Sequence, residues 1–224
     1  MATVLVVGAS RGIGLEFVRQ YVAEGHRVIA THRTPESGAT LREVGAKPAV
    51  LDMLDEGGVV EFGEKMAHEK IDIAVINAGI AGARNQAISS PGGLDFDAVM
   101  HTNVRAPMQL IPALAPALIA AHGKLAVVSS RMGSLSLMTS SASWLYRTSK
   151  AALNATLKAA SLELGPQGVV CIAFHPGWVR TNMGGAGAEI DVQTSVAGMR
   201  RVLALANDSS NGKFINYNGE QLSW

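Results

Sequence analysis

Thr3-Val4-Leu5-Val6-Val7-Gly8-Ala9-Ser10-Arg11-Gly12-Ile13-Gly14 decides the fold. A short β-branched run ending at a glycine reads as a strand buried on both faces. From Leu15 to Tyr21 the apolar residues return at helical spacing, so strand, glycine-rich turn and helix follow one another. That order puts free backbone N–H groups at a helix N-terminus, where they can hold a pyrophosphate. Gly8 permits the tight turn, Gly12 lets the backbone approach the phosphates, and Gly14 lets the helix pack on the strand. The spacing is G-x-x-x-G-x-G, not the general G-x-G-x-x-G. Its weight comes from its place at the first strand-to-helix junction.

The same alternation continues along the chain. Further strands are predicted at 27–31, 47–51, 71–76, 125–128, 169–174 and 213–216, with helices through 36–44, 59–67, 94–121 and 143–164. The segment 94–121 divides near Ala106-Pro107, and Pro112 within it should cost about 3 kcal/mol unless the helix kinks or starts there. Alternating apolar strands and helices argue for an α/β fold: a Rossmann-type doubly wound parallel sheet in three layers with right-handed crossovers. No repeat or linker divides residues 1–224, so a single domain is expected. The glycines after Met183 suggest a mobile flap around 183–190.

Tyr146 and Lys150 are four apart, so on a helix they project into one space. A phenol titrates near ~10, and a neighbouring ammonium pulls that value down toward the working range. A hydroxyl from Ser129-Ser130 could then hold a carbonyl oxygen while the phenol delivers its proton. Taken alone, Tyr-x-x-x-Lys is equally a packed tyrosine beside a solvated lysine. Past the second strand comes Thr31-His32-Arg33, where a site for NAD usually carries an acid. Arg33 there and Arg11 in the glycine turn suit a 2′-phosphate, which favours NADP(H) over NAD(H). Either arginine alone is equally a surface charge.

Composition narrows the partners. The 224 residues carry a formal charge of +1 and no basic stripe, which argues against nucleic acid and acidic membrane surfaces. The longest apolar run, Leu110 to Ala121, is too short to span a bilayer. Nothing after Met1 has the pattern of a signal peptide, and the single Cys171 lies in an apolar run, so a cytoplasmic protein is expected. Cys171, His101 and His175 read as packed residues, and no cluster has metal-ligand spacing. Met132, Met138 and Met183 are candidates for lining a pocket or filling the core. The helices 106–121 and 143–164 offer a face for a homodimer or homotetramer, although their apolar stripes equally serve the core.

Together the glycine turn, Asn77-Ala78-Gly79, Asn103, Ser130, Tyr146 with Lys150, and Pro176-Gly177 resemble the short-chain dehydrogenase/reductase family from residue 3 to at least 183. Tyr146 to Asn154, His175 to Thr181 and Phe214 to Gly219 look like its sniffer-type carbonyl reductase and C-factor branch. The resemblance implies a reductase of small aldehydes and ketones, or the reverse reaction on alcohols. Gly8, Ser10, Arg11, Gly12, Ile13, Gly14 and Arg33 would hold the diphosphate and 2′-phosphate. Asp52, Met53 and Asn77 would flank the adenine side. Ala78, Gly79, Pro176, Gly177, Val179 and Thr181, with Tyr146 and Lys150, would complete the nucleotide site. Tyr146 would protonate the substrate oxygen, Ser130 hold it, Lys150 tune the phenol, and Asn103 anchor a proton-relaying water.

Three departures from the family pattern stand out. Val7 replaces a frequent threonine that braces the turn. Ser130 precedes Tyr146 by sixteen positions instead of thirteen, which leaves Ser134 as an alternative serine and predicts a longer loop through 135–143. The region after Met183 is short, implying an open pocket. Two rivals remain: a C-factor-like sensor that binds nucleotide without turnover, and an epimerase or dehydratase acting on a nucleotide sugar.

Overall fold

The computed structural model describes residues 1–84 and 87–224. Strands and helices alternate as β1 (Thr3–Val7), α1 (Gly12–Ala23), β2 (Arg27–His32), α2 (Pro35–Glu43), β3 (Lys47–Val50), α3 (Glu56–Met66), β4 (Ile73–Ile76) and α4 (Gly93–Met100). A π-helical turn, His101–Arg105, joins α4 to α5 (Ala106–Ile119). The rest is β5 (Lys124–Val128), α6 (Trp144–Leu164), β6 (Val170–His175), α7 (Val192–Leu205), β7 (Lys213–Asn216) and β8 (Gln221–Leu222).

The strands form one sheet in the order β3-β2-β1-β4-β5-β6-β7-β8. Every pair is parallel except the antiparallel β7 and β8. Along β1, Leu5 and Val7 face a core shared with α3, α5 and α6, while Val4 and Val6 face α1, α2 and α7. Both faces are covered, so the run has no room for a polar position. The chain winds outward in both directions from β1 and β4. A crevice therefore opens at the carboxyl ends of these strands, where the strand order reverses.

The structure adjusts several sequence boundaries for local reasons. β4 starts at Ile73, not Ile71, because the Ile71 N–H bonds the Ala117 carbonyl at 3.2 Å. Asp72 instead takes the Thr3 N–H on its carboxylate at 2.7 Å. The short β8 follows a turn at Gly219, whose φ of 96° needs a residue without a Cβ. Pro112 neither starts nor ends α5, and Pro116 follows one turn later in the same helix. Both prolines stand on the exposed outer face, where water can serve the carbonyls they leave unbonded. The division expected near Ala106 is the π-helical turn. The outer faces of α5 and α6, expected as a pairing face, line a shallow apolar groove of about 540 Å³. No helix among the described residues is long and apolar enough to cross a membrane.

α3 and α5 approach closely at Gly63, where a Cβ would lie 2.2 Å from that of Ala113. Gly63→Ala gains up to ~1 kcal/mol of helix propensity but must push two packed helices apart, which typically costs about 1–3 kcal/mol. The clash should prevail, so the variant is expected to unfold at lower urea concentration than the wild type.

Candidate active site

The turn between β1 and α1 is held from three sides. The Gly8 N–H donates to Thr31 Oγ1 at 2.9 Å, so a β2 hydroxyl braces the turn where Val7 lacks one. Asn77 Nδ2 donates to the Gly8 carbonyl at 2.8 Å, and the Asn77 and Ala78 N–H groups both bond the Val7 carbonyl. A Cβ on Gly14 would lie 2.1 Å from the Gly8 oxygen, so only glycine fits there. Gly8 itself has a φ of 82° and its missing Cβ would meet the Ala78 backbone at 2.7 Å. No side chain caps α1 at Arg11, leaving its first-turn N–H groups open to the crevice. Across the gap, Thr181 Cγ2 lies 3.4 Å from where a Gly12 Cβ would sit.

Arg33 and Arg11 are exposed and, among the described residues, pair with no carboxylate. The Asp52 carboxylate accepts the Leu54 N–H at 3.0 Å, and Met53 packs into the core beneath it. Asn77, expected beside the adenine, has its side-chain amide on Gly8 and acts as a brace for the turn.

The second half of the site grows from β5 and α6. Ser129 and Ser130 follow β5, and a 3-10 turn, Arg131–Gly133, comes next. Ser129 donates to Asn154 Oδ1 at 2.6 Å and Asn154 donates to the Gly133 carbonyl at 3.2 Å, fixing this turn to α6. Ser130 borders the pocket and accepts the Met132 N–H at 3.1 Å. Ser134 is fully buried, donates to the Ser223 carbonyl at 2.8 Å and accepts the Leu137 N–H. Of the two serines, only Ser130 faces the pocket.

Ser143, with a left-handed φ of 54°, turns the loop into α6 just ahead of Tyr146. Tyr146 lines the pocket, and Lys150 lies behind it with Nζ 5.7 Å from the ring centroid. Lys150 is buried and its Nζ donates to the Val128 carbonyl at 2.9 Å. Burial lowers the Lys150 ammonium to about 8. Burial also pushes the Tyr146 phenol up to about 12, against smaller downward pulls from Ser130 and Arg84. The sequence led to the opposite expectation for the phenol. At 5.7 Å across the ring, Lys150 does not offset the protein packed around Tyr146.

Asn103 sits in the π-helical turn, a geometry common at functional sites. Its Nδ2 donates to the Ile80 carbonyl at 2.8 Å and to Ser149 Oγ at 2.9 Å, while Oδ1 accepts the Ile80 N–H at 2.9 Å. Both amide protons are committed, which leaves the second lone pair of Oδ1 as its free position. Asn103 Oδ1 and Lys150 Nζ converge on Gly79, at 3.2 and 3.3 Å from its missing Cβ.

Ser130 and Tyr146 face one pocket of about 550 Å³ at the carboxyl ends of the strands, while Lys150 and Asn103 are buried and do not line it. Ile13, Pro176, Gly177, Val179 and Thr181 line it, and so do Met132 and Met183, whereas Met138 does not. Hydrogen bonds tie the glycine-rich stretch expected as a flap to the segment after β6. Trp178 Nε1 bonds the Gly184 carbonyl at 2.8 Å, and the Ile190 N–H bonds the Trp178 carbonyl at 3.2 Å. Sequence reasoning missed Arg84, Arg131, Arg147 and Trp178 as lining residues. Arg84, Arg131 and Trp178 lie in connecting segments after strand ends, which carry no periodicity, and Arg147 lies on α6 beside Tyr146. Cys171 is buried in β6 with its thiol pushed up to about 12, unsuited to act as a nucleophile.

The family model for short chain dehydrogenases matches residues 2–191. C-signal of Myxococcus xanthus is 35% identical over 167 residues, 73% of this chain and 98% of that protein. The structure of carbonyl reductase Sniffer of D. melanogaster superposes with a TM-score of 0.93 at 28% identity, covering all of both chains. That of a carbonyl reductase from Pseudomonas aeruginosa in complex with NADP gives 0.87 at 33% identity, again over all of both chains.

His175, at the end of β6, also lines the pocket. Burial, reinforced by the Arg131 charge, lowers it to about 4, and among the described residues its Nδ1 has no hydrogen-bond partner. The unfolded chain therefore takes up this proton first, near ~6.5, and stability falls as pH drops from there toward 4. The loss attributable to this one group is up to about 3 kcal/mol. Urea unfolding of wild type and His175→Gln at neutral and acid pH should show a smaller acid loss in the variant.

Proposed function

The chain belongs to the short-chain dehydrogenase family, and on that premise we propose that it is an NADPH-dependent reductase of aldehyde and ketone carbonyls. The observation that carries this is the convergence of Ser130, Tyr146 and Lys150 at the end of β5, beside a pocket that continues past the open N-terminus of α1. The crevice fits a dinucleotide. Gly8, Ser10, Gly12, Ile13 and Gly14 would present backbone to the diphosphate, and Arg11 and Arg33 would meet the 2′-phosphate. Gly79, Pro176, Gly177, Val179 and Thr181 would border the nicotinamide end. Bound NADPH supplies the hydride that reduces the carbonyl carbon.

The remaining chemistry is the protein's own. The Ser130 hydroxyl would donate to the substrate oxygen and hold it against Tyr146. With its phenol near 12, Tyr146 is protonated at neutral pH and delivers its proton to the developing alkoxide, a far stronger base. Lys150, still largely charged at neutral pH, stabilises the phenolate left behind and stands ready for the ribose. Asn103 would position the water that returns the proton. The likeness to C-signal favours a second reading, a nucleotide-binding signalling protein without turnover.

NADPH oxidation with a panel of aldehydes, ketones and quinones tests both readings. Turnover is expected, and Tyr146→Phe should lower it by at least ~10²-fold while NADPH binding, followed by fluorescence, persists. Binding without turnover on any carbonyl would favour the signalling reading. Arg33→Ser should weaken NADPH binding about tenfold and leave NADH binding unchanged, because only the former carries the 2′-phosphate.

A further inference from the structure

We propose that the pocket selects carbonyl compounds that carry a carboxylate on an apolar body, held at the rim by Arg84, Arg131 and Arg147. This inference rests on the carbonyl-reductase reading of the same site. The three arginines come from separate elements and stand beside the reacting groups. Arg131 follows Ser130, Arg147 follows Tyr146, and Arg84 lies in the segment after β4. All three line the pocket, and among the described residues no aspartate or glutamate does.

Elsewhere on this protein some arginines find acids, while Arg11, Arg33, Arg42 and Arg201 enter no ion pair among the described residues. Arg19, Arg27, Arg105, Arg180 and Arg200 all pair with carboxylates. Among the described residues the three pocket arginines enter no such pair. Their recorded bonds go to neutral carbonyls: Arg84 to Met183, and Arg147 Nε to Ala142 at 2.8 Å. Those bonds orient the guanidinium groups without compensating their charge. The field reaches the chemistry, since Arg84 pulls down the Tyr146 phenol and Arg131 pulls down His175.

A concave site lined by one sign of charge over low-dielectric walls concentrates ligands of the opposite sign. A guanidinium fork matches a carboxylate in two parallel bonds. Below the rim, Met132, Leu137, Trp178 and Met183 supply the apolar surface. Arg84 also spans the mouth, bonding a carbonyl in the loop after β6. An entering carboxylate is a stronger acceptor than that carbonyl and would take Arg84 over from it. The carboxylate is a handle and no bond to it changes; reduction occurs at the carbonyl as proposed above.

The test compares 4-acetylbenzoate with its methyl ester as substrates for the NADPH-loaded enzyme. The acid should have a kcat/KM about tenfold higher, shrinking as NaCl rises from about 50 to about 500 mM. Arg84→Gln and Arg147→Gln should each lower the acid-to-ester ratio severalfold, and Arg84→Lys should restore part of it. Equal use of acid and ester, or a ratio indifferent to salt and to the variants, would overturn the proposal while the reductase reading stands. If no ketone, aldehyde or quinone is reduced, the reductase reading fails instead. Calorimetric titration of 4-acetylbenzoate into the NADP-loaded protein then decides for the pocket. Salt-sensitive binding lost in Arg84→Gln upholds it, and absence of binding overturns it.

Discussion

The ammonium of Lys150, buried beneath the pocket and bonded to the Val128 carbonyl, is the interaction on which the rest of the site depends. A buried charge is tolerated only where polar groups are fixed around it. Here the fixed group is the Val128 carbonyl at the end of β5. Because α6 carries the lysine, that bond sets how α6 lies over the sheet. Tyr146, one helical turn earlier, is thereby aimed into the pocket. Asn154, one turn later, ties the same helix to Ser129 and Gly133, so the turn that presents Ser130 is set by the same contact surface.

Close backbone packing does for the nucleotide half what Lys150 does for the catalytic half. Gly8, Gly14 and Asn77 leave no space for a side chain between β1, α1 and the end of β4. Rigidity there keeps the uncapped N–H groups of α1 directed at the crevice. The positive end of the helix, Arg11 and Arg33 lie on one side, and the three pocket arginines on the other. Arg11, Arg33 and the three pocket arginines, none of them paired with a carboxylate among the described residues, thus give this groove positive charge in a protein whose net charge is only +1.

The burial that fixes these groups also sets their acidities. Tyr146 is driven up and Lys150 down by the same loss of solvent, so each is shifted toward its neutral form. A tyrosine held protonated suits proton delivery to an alkoxide. The opposite direction, alcohol oxidation, needs additional positive charge beside the ring to stabilise the phenolate.

The sequence by itself determined the seven parallel strands, the helices up to α6 and the identity of the paired Tyr146 and Lys150, but not α7 or the antiparallel β8. Those features follow from local pattern: continuous apolar runs for strands buried on both faces, a 3.6-residue period for helices, and a four-residue spacing that stacks side chains. The glycine turn was legible because steric exclusion at Gly8 and Gly14 admits one residue type. Only the tertiary structure decided which neighbours those residues meet. It set Ser130 at the pocket and buried Ser134 against the carbonyl of Ser223, 89 residues away. It turned Asn77 and Thr31 into braces, put Met53 in the core, and gathered Arg84, Arg131 and Arg147 around one opening. It also fixed the Tyr146 phenol high where spacing alone implied low. Acidity depends on the whole surrounding of a group, and loops converge through contacts between residues far apart in the chain, so neither leaves a periodic trace in the sequence.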